Sequence, residues 1–180
     1  MSELSITTER LVLRPFGLED APRVRELAGD WDVARTLVLV PHPYPEGVAE
    51  AWIATHAQSR AAGTQFTFAV TLSGLCIGCI GLERGGKDHF ELGYWFGTAH
   101  WGRGYATEAV TAVTGLAFGQ FAKTRLIADH FVDNPRSGRV LSKAGFVETG
   151  RLLKYSLARG CESASITMAL TRDAWAKKQV

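Results

Sequence analysis

Residues 91–108 read Glu-Leu-Gly-Tyr-Trp-Phe-Gly-Thr-Ala-His-Trp-Gly-Arg-Gly-Tyr-Ala-Thr-Glu. The alternating run 89–96 predicts a strand, and glycines then crowd positions 97, 102 and 104. Ala106, Ala109, Val110, Val113 and Ala117 recur at helical spacing, which predicts a helix from about Tyr105 to Gly119. Amides at a helix start point outward without intrahelical partners, and the helix dipole adds partial positive charge there. Glycines let a backbone approach a diphosphate closely, so this turn is a candidate pyrophosphate cradle. Thr107 could add a hydroxyl donor and Arg103 a charge. The same glycines also suit a plain tight turn. Two other phosphate patterns fit worse. A Walker A loop needs Gly-Lys-Ser/Thr, which the chain lacks, and the dinucleotide fingerprint ends in Gly or Ala where 102–107 ends in threonine.

Downstream, residues 129–146 read Asp-His-Phe-Val-Asp-Asn-Pro-Arg-Ser-Gly-Arg-Val-Leu-Ser-Lys-Ala-Gly-Phe. A strand over 126–131 runs into Asn134, and Pro135 opens a helix that ends at Gly145. Upstream, 10–16 alternates as a first strand, and Glu19-Asp20 opens an amphipathic helix to about Ala28. A second helical stretch after Pro45 carries Val48, Trp52, Ile53 and His56 and ends near Gly63; 36–45, with three prolines, is a loop. Runs 65–71 and 75–83 around Ser73-Gly74 suggest a hairpin, and two last strands, about 146–157 and 162–170, leave a short polar tail. Such mixing predicts an α+β domain rather than a regular βαβ alternation.

Composition narrows the function classes. The 180 residues are 46% apolar and 21% charged with a net charge of +2, an ordinary globular balance without a dense basic block. No nucleic-acid partner is expected on that basis. The N-terminus has no signal-peptide pattern, and no run approaches the ~18 to 20 apolar residues that span a bilayer, so neither export nor a membrane is expected. Cys76, Cys79 and Cys161 form an odd set that fits a reducing cytoplasm. Cys76 and Cys79, three apart in a strand, should point to opposite faces and read as small buried side chains rather than as ligands. No metal is expected. Assembly state is left open, since nothing in the chain marks an interface.

The two central segments together resemble the GNAT superfamily of N-acetyltransferases. That family carries a Q/R-x-x-G-x-G/A turn on the pyrophosphate of coenzyme A and an N-x-x-x-x-x-(V/L)-x-x-K-x-G-F helix beside the pantetheine arm. The opening residues 8–16, Thr-Glu-Arg-Leu-Val-Leu-Arg-Pro-Phe, and the run 91–109 look like its RimJ/RimL branch, which acetylates protein N-termini and related amines. The resemblance spans nearly the whole chain. It implies one domain over 1–180, with a mixed, mostly antiparallel sheet of six to seven strands flanked by helices. It implies acetyl-CoA as cosubstrate and a primary amine, a protein N-terminus or a small molecule, as acceptor.

Carried over by position, the resemblance implies cofactor contacts at Trp101, Gly102, Arg103, Gly104, Tyr105, Ala106 and Thr107. Further contacts fall at Asn134, Arg139 and Lys143, with a strand amide near Tyr94, Trp95 and Phe96 polarising the thioester carbonyl. Glu91 is the implied water-assisted base and Ser137 the acid toward the departing sulfur; either could instead be a plain surface residue. Asn134 either bonds the pantetheine arm or caps its helix. Trp101 stands where the family has Gln or Arg, and Leu141 stands where many relatives carry an acidic tyrosine. That leucine keeps a rival open, a non-catalytic acyl-CoA-binding sensor. His100 and His130 are reserve bases, and Trp31, Tyr44, Trp52 and Tyr94 are either pocket walls or core.

Overall fold

The computed structural model describes residues 4–121 and 123–178. Its strands are β1 (Ile6–Thr7), β2 (Leu11–Arg14), β3 (Gln65–Leu72), β4 (Leu75–Arg84), β5 (His89–Phe96), β6 (Arg125–Phe131), β7 (Val147–Ser156) and β8 (Cys161–Thr171). They form one sheet in the order β1-β2-β3-β4-β5-β6-β8-β7. The α+β class is as expected, and every pairing but β5–β6 is antiparallel. The strand count exceeds the expected six to seven by one, because Ile6–Thr7 folds back on Val12 and Leu13 as an extra short strand.

Helices cover both faces. α1 (Ala21–Ala28), α2 (Trp31–Ala34), α3 (Val48–Ala54) and α4 (His56–Ala61) lie in the first third of the chain. The single helix expected after Pro45 is two, divided at Thr55, whose hydroxyl donates to the Trp52 carbonyl. α5 (Tyr105–Gly119) and α6 (Pro135–Ala144) follow as expected. The polar tail is instead a helix, α7 (Arg172–Lys177), capped by the Thr171 hydroxyl accepting from the Ala174 amide. Its Trp175 ring lies 5.4 Å from Phe118.

Each face has its own core. On one, Ala109, Val110, Val113 and Ala117 of α5 are fully buried against Phe68, Ile80, Leu82, Phe90 and Leu92. These are the alternate residues of three adjacent strands, so the period-two pattern of the sheet meets the helical stripe read from sequence. On the other face Val24 and Ile53 pack with Phe16, Ala69, Cys76 and Cys79. The two cysteines therefore share a face, contrary to expectation. A bulge between Val70 and Thr71 pairs Val70 with Gly78 but Thr71 with Cys76, and the extra residue inverts the alternation.

His56, 5% exposed, belongs to this second face, with its ring 4.4 Å from Trp52 and 5.6 Å from Phe16. Neither ring nitrogen has a hydrogen-bond partner among the described residues, and burial pulls its pKa down to about 4. An unfolded histidine gains its proton below about pH 6.5. Between that pH and about 4 the unfolded chain therefore binds the extra proton, and stability falls as pH drops through the window while staying flat above it. Denaturant melts at pH 7 and pH 4.5 should differ by about 3 kcal/mol at most through this group. His56→Leu should flatten that slope; an unaltered slope in the variant would assign acid sensitivity elsewhere.

Candidate functional site

One gap in the sheet organises the site. β5 and β6 pair at three positions only, ending with Glu91 opposite Ile127. Beyond that point β5 stays on β4 as far as Gly78 opposite Phe96, while β6 stays on β8. The Gly97 amide donates to the Ile77 carbonyl on the β4 side. By strand alternation the amides of Tyr94 and Phe96 face the opposite side, into the gap. The Phe96 carbonyl also faces away from β4, and there the Trp101 indole N–H reaches it at 2.7 Å. Trp101 thus satisfies a backbone group that the departing β6 leaves behind. A cavity of about 760 Å³ occupies the gap and is lined by residues from both faces of the sheet.

The cavity's first half is cationic. Gly102 and Gly104 have φ of +73° and +83°, left-handed conformations that admit glycine without steric cost. These turns splay the backbone so that none of the six amides from Gly102 to Thr107 finds an acceptor among the described residues; the first bonded amide of α5 is that of Glu108, to the Gly104 carbonyl. The turn is clamped from behind by Arg10. Its guanidinium donates to the Arg103 carbonyl at 3.0 Å and to Glu108, and stacks 4.7 Å from the centre of the Tyr105 ring. Burial would raise the Glu108 pKa, but hydrogen bonds from Thr8 and Arg10 hold that carboxyl below its ordinary range. The opening segment 8–16 thus serves the turn through one ion pair.

α6 supplies the facing wall. The Asn134 side chain accepts from the Ser137 amide at 3.4 Å and Pro135 follows, so the helix is started by its own sequence; Gly145, φ +104°, ends it. Asn134 both caps the helix and lines the cavity. A Cβ at Gly138 would lie 2.7 Å from His130 Nε2, so only glycine lets the helix sit this close to β6. Arg136, Arg139, Val140 and Lys143 line the cavity at spacings that keep them on one helix face. None of the three cations has a carboxylate partner among the described residues. Arg136, which sequence reasoning missed, stacks 5.2 Å over the Trp101 ring. Arg103 lends the turn its carbonyl and does not line the cavity.

Ser137, in the first turn of α6, lies 2.7 Å from the Tyr94 hydroxyl, oxygen to oxygen. Leu141, one turn on, is fully buried in the core and faces no solvent. His130 is buried, with Nδ1 2.9 Å from the Phe131 carbonyl. His100 lines the cavity, and burial together with Arg23 and Arg103 lowers its pKa, keeping it neutral at neutral pH.

The second half of the cavity is acidic. Glu91 lies directly across from Glu83, and both line it. Like charges in register destabilise a strand pair, and neither carboxylate has a cation partner among the described residues. Glu83 was not among the sequence candidates, since register is what brings it beside Glu91. Asp129 lines the same half but is held by Lys154 at 2.5 Å and Thr167 at 2.7 Å. Gly81 and Gly93, also in register, leave a bare shelf between the carboxylates and Trp95. Trp52 and the loop at Leu37–Val40 close this side; Trp31 and Tyr44 do not line it, and Tyr44 packs in the second core.

Residues 10–147 match the family model for the acetyltransferase (GNAT) domain. The chain belongs to the GNAT acetyltransferases. Among GNAT relatives, the [ribosomal protein uS5]-alanine N-acetyltransferase of Escherichia coli is 27% identical over 186 residues, covering 96% of this chain and 93% of that protein. The uncharacterized N-acetyltransferase YoaA of Bacillus subtilis is 28% identical over 160 residues, covering 86% and 89%. A solved GNAT neighbour, RimJ of Mycobacterium smegmatis in complex with CoA-disulfide, superposes with a TM-score of 0.76 at 20% identity, covering 94% of this chain and 89% of that one. The GNAT assignment agrees with the resemblance read from the sequence, and its RimJ/RimL-like neighbours are the branch that resemblance named. No helix among the described residues is long and apolar enough to cross a membrane.

Proposed function

We propose that this protein transfers an acetyl group from acetyl-CoA to a primary amine, a protein N-terminal α-amine or a small-molecule amine, by direct attack. The observation that carries this reading is the row of six unpaired amides from Gly102 to Thr107, set opposite the unpaired Arg136, Arg139 and Lys143 across one cavity. A diphosphate fits that chemistry: it needs many donors and offsets cations that otherwise repel one another. The GNAT relatives that bind coenzyme A or acetylate ribosomal-protein N-termini support the cofactor and the acceptor class.

With the cofactor so held, the acetyl carbonyl reaches the gap, where the Tyr94 and Phe96 amides donate to its oxygen and stabilise the charge that develops on attack. The acceptor enters from the acidic half. Glu91 and Glu83 attract its ammonium form, and Glu91 removes the proton through water. An α-amine of pKa ~7.8 costs about 1 kcal/mol to deprotonate at pH 7, whereas a lysine-like amine of pKa ~10.4 costs about 4.6 kcal/mol. As the carbon–sulfur bond breaks, the Ser137 hydroxyl donates to the sulfur.

A screen of amines and N-terminal peptides with acetyl-CoA, read by thiol release and product mass, tests the reading. Thiol release should require both reactants. Coenzyme A binding without turnover across the whole panel would favour the rival, an acyl-CoA sensor that retains the cradle and lacks the chemistry.

A further inference from the structure

Tyr94 Oη lies 2.7 Å from Ser137 Oγ and 3.2 Å from the Ser137 carbonyl oxygen. Two hydrogen-bond directions fit these distances. In one, the phenol donates to the serine carbonyl and the serine hydroxyl donates back to the phenol, so the serine proton is turned away from the cavity. In the other, the phenol donates to Ser137 Oγ and frees the serine proton for an acceptor in the gap. The two states differ by hydroxyl rotations alone, with every heavy atom in place. We propose that Tyr94 is a positioning residue for Ser137, and that a developing thiolate draws the pair into the second state, aiming the serine proton at sulfur. This rests on the reading of Ser137 given above. It gives the strand phenol a role that position 141, a buried leucine, cannot fill.

The balance of the step is simple. The amine nitrogen–carbon bond forms, the carbon–sulfur bond breaks, and its electron pair leaves on sulfur. Glu91 relays the ammonium's first proton through water to solvent before attack, and the second, lost from nitrogen as the bond forms, goes through water to the same carboxylate. Burial pushes the Tyr94 phenol up to about 12, so it stays protonated, and remains a donor, around neutral pH. Sulfur therefore departs as a hydrogen-bonded thiolate and takes its proton from water on release. Neither hydroxyl is consumed.

The test is a double-mutant cycle with acetyl-CoA and the fastest acceptor of the amine panel. Tyr94→Phe removes one oxygen and keeps the ring in its packing. It should lower kcat about tenfold and leave KM for acetyl-CoA within about twofold. Tyr94→Phe combined with Ser137→Ala should be no slower than Ser137→Ala alone, because the phenol acts only through the serine. Equal losses from Tyr94→Phe in both backgrounds, or no loss in either while Ser137→Ala is slow, overturn the pairing and leave Ser137 as a lone donor to sulfur. If Ser137→Ala is itself as fast as the parent, the assignment of Ser137 as donor to sulfur falls and the pairing with it. A fluorinated tyrosine placed at 94 keeps the fold and strengthens the donated bond, so it should raise kcat; an unchanged kcat counts against the pairing even if Tyr94→Phe does not fold.

Discussion

Glu91→Gln is expected to lower kcat at pH 7 by about a hundredfold with a lysine-like amine, the low end of the ~10²–10⁴ that a general base contributes. With an α-amine the loss should be nearer tenfold, because about 1 kcal/mol of deprotonation rather than about 4.6 kcal/mol is at stake. The two losses should converge as pH rises toward the acceptor's own pKa, where solvent supplies the neutral amine. Glu83, directly across the strand pair, is the built-in control. If Glu83→Gln collapses the rate and Glu91→Gln does not, the base is the neighbour; if neither variant nor their combination slows a lysine-like acceptor, neither of these two carboxylates takes the proton. Steady-state kinetics over pH 6–10 with two acceptors, as a probe range of about four units around those pKa values, separates these outcomes.

Gly104→Val is expected to weaken coenzyme A binding by about a hundredfold or more. The residue sits at φ +83°, where an L side chain costs roughly 1–2 kcal/mol and a β-branched one more. A Cβ there would also lie 3.3 Å from Arg10 Nη2, the group that clamps the turn. Relief requires the turn to re-route, which moves its free amides off the phosphates; losing two charge-assisted hydrogen bonds at about 1.5 kcal/mol each gives that factor. Gly115→Ala is the matched control, since a Cβ at that position of α5 meets nothing within 4 Å. Calorimetry with coenzyme A should show the first variant weakened and the second unchanged. An unaltered dissociation constant for Gly104→Val places the diphosphate somewhere other than this turn.

Some of the site was legible in the chain because it depends on neighbours in sequence. Gly102, Gly104 and the helix start at Tyr105 are a local matter of dihedral freedom and unpaired amides. So is the start of α6, where Asn134 caps and Pro135 presets φ. The stripe Ala109, Val110, Val113 and Ala117 followed from helical period alone and is the buried face. Where a local rule failed, a long-range pairing overrode it. Cys76 and Cys79 share a face because a bulge against β3 adds a residue, and no pattern inside 75–83 announces that. The eighth strand exists because Ile6 and Thr7 meet Leu13 and Val12, not because two residues carry a strand signal.

The sequence by itself determined the family, the glycine turn before α5 and the helix that faces it, since dihedral preferences, caps and hydrophobic periods act over a few residues and are written in residue type. The tertiary structure alone decided where β5 and β6 part, that Glu83 stands beside Glu91, that Arg136 lies on Trp101, and that Tyr94 touches Ser137 from 43 positions away. Those facts depend on register and on how closely two elements pack. A shift of one residue would undo the strand pairings, and a Cβ at Gly138 would meet the His130 ring and push α6 from β6, while every local signal stayed intact.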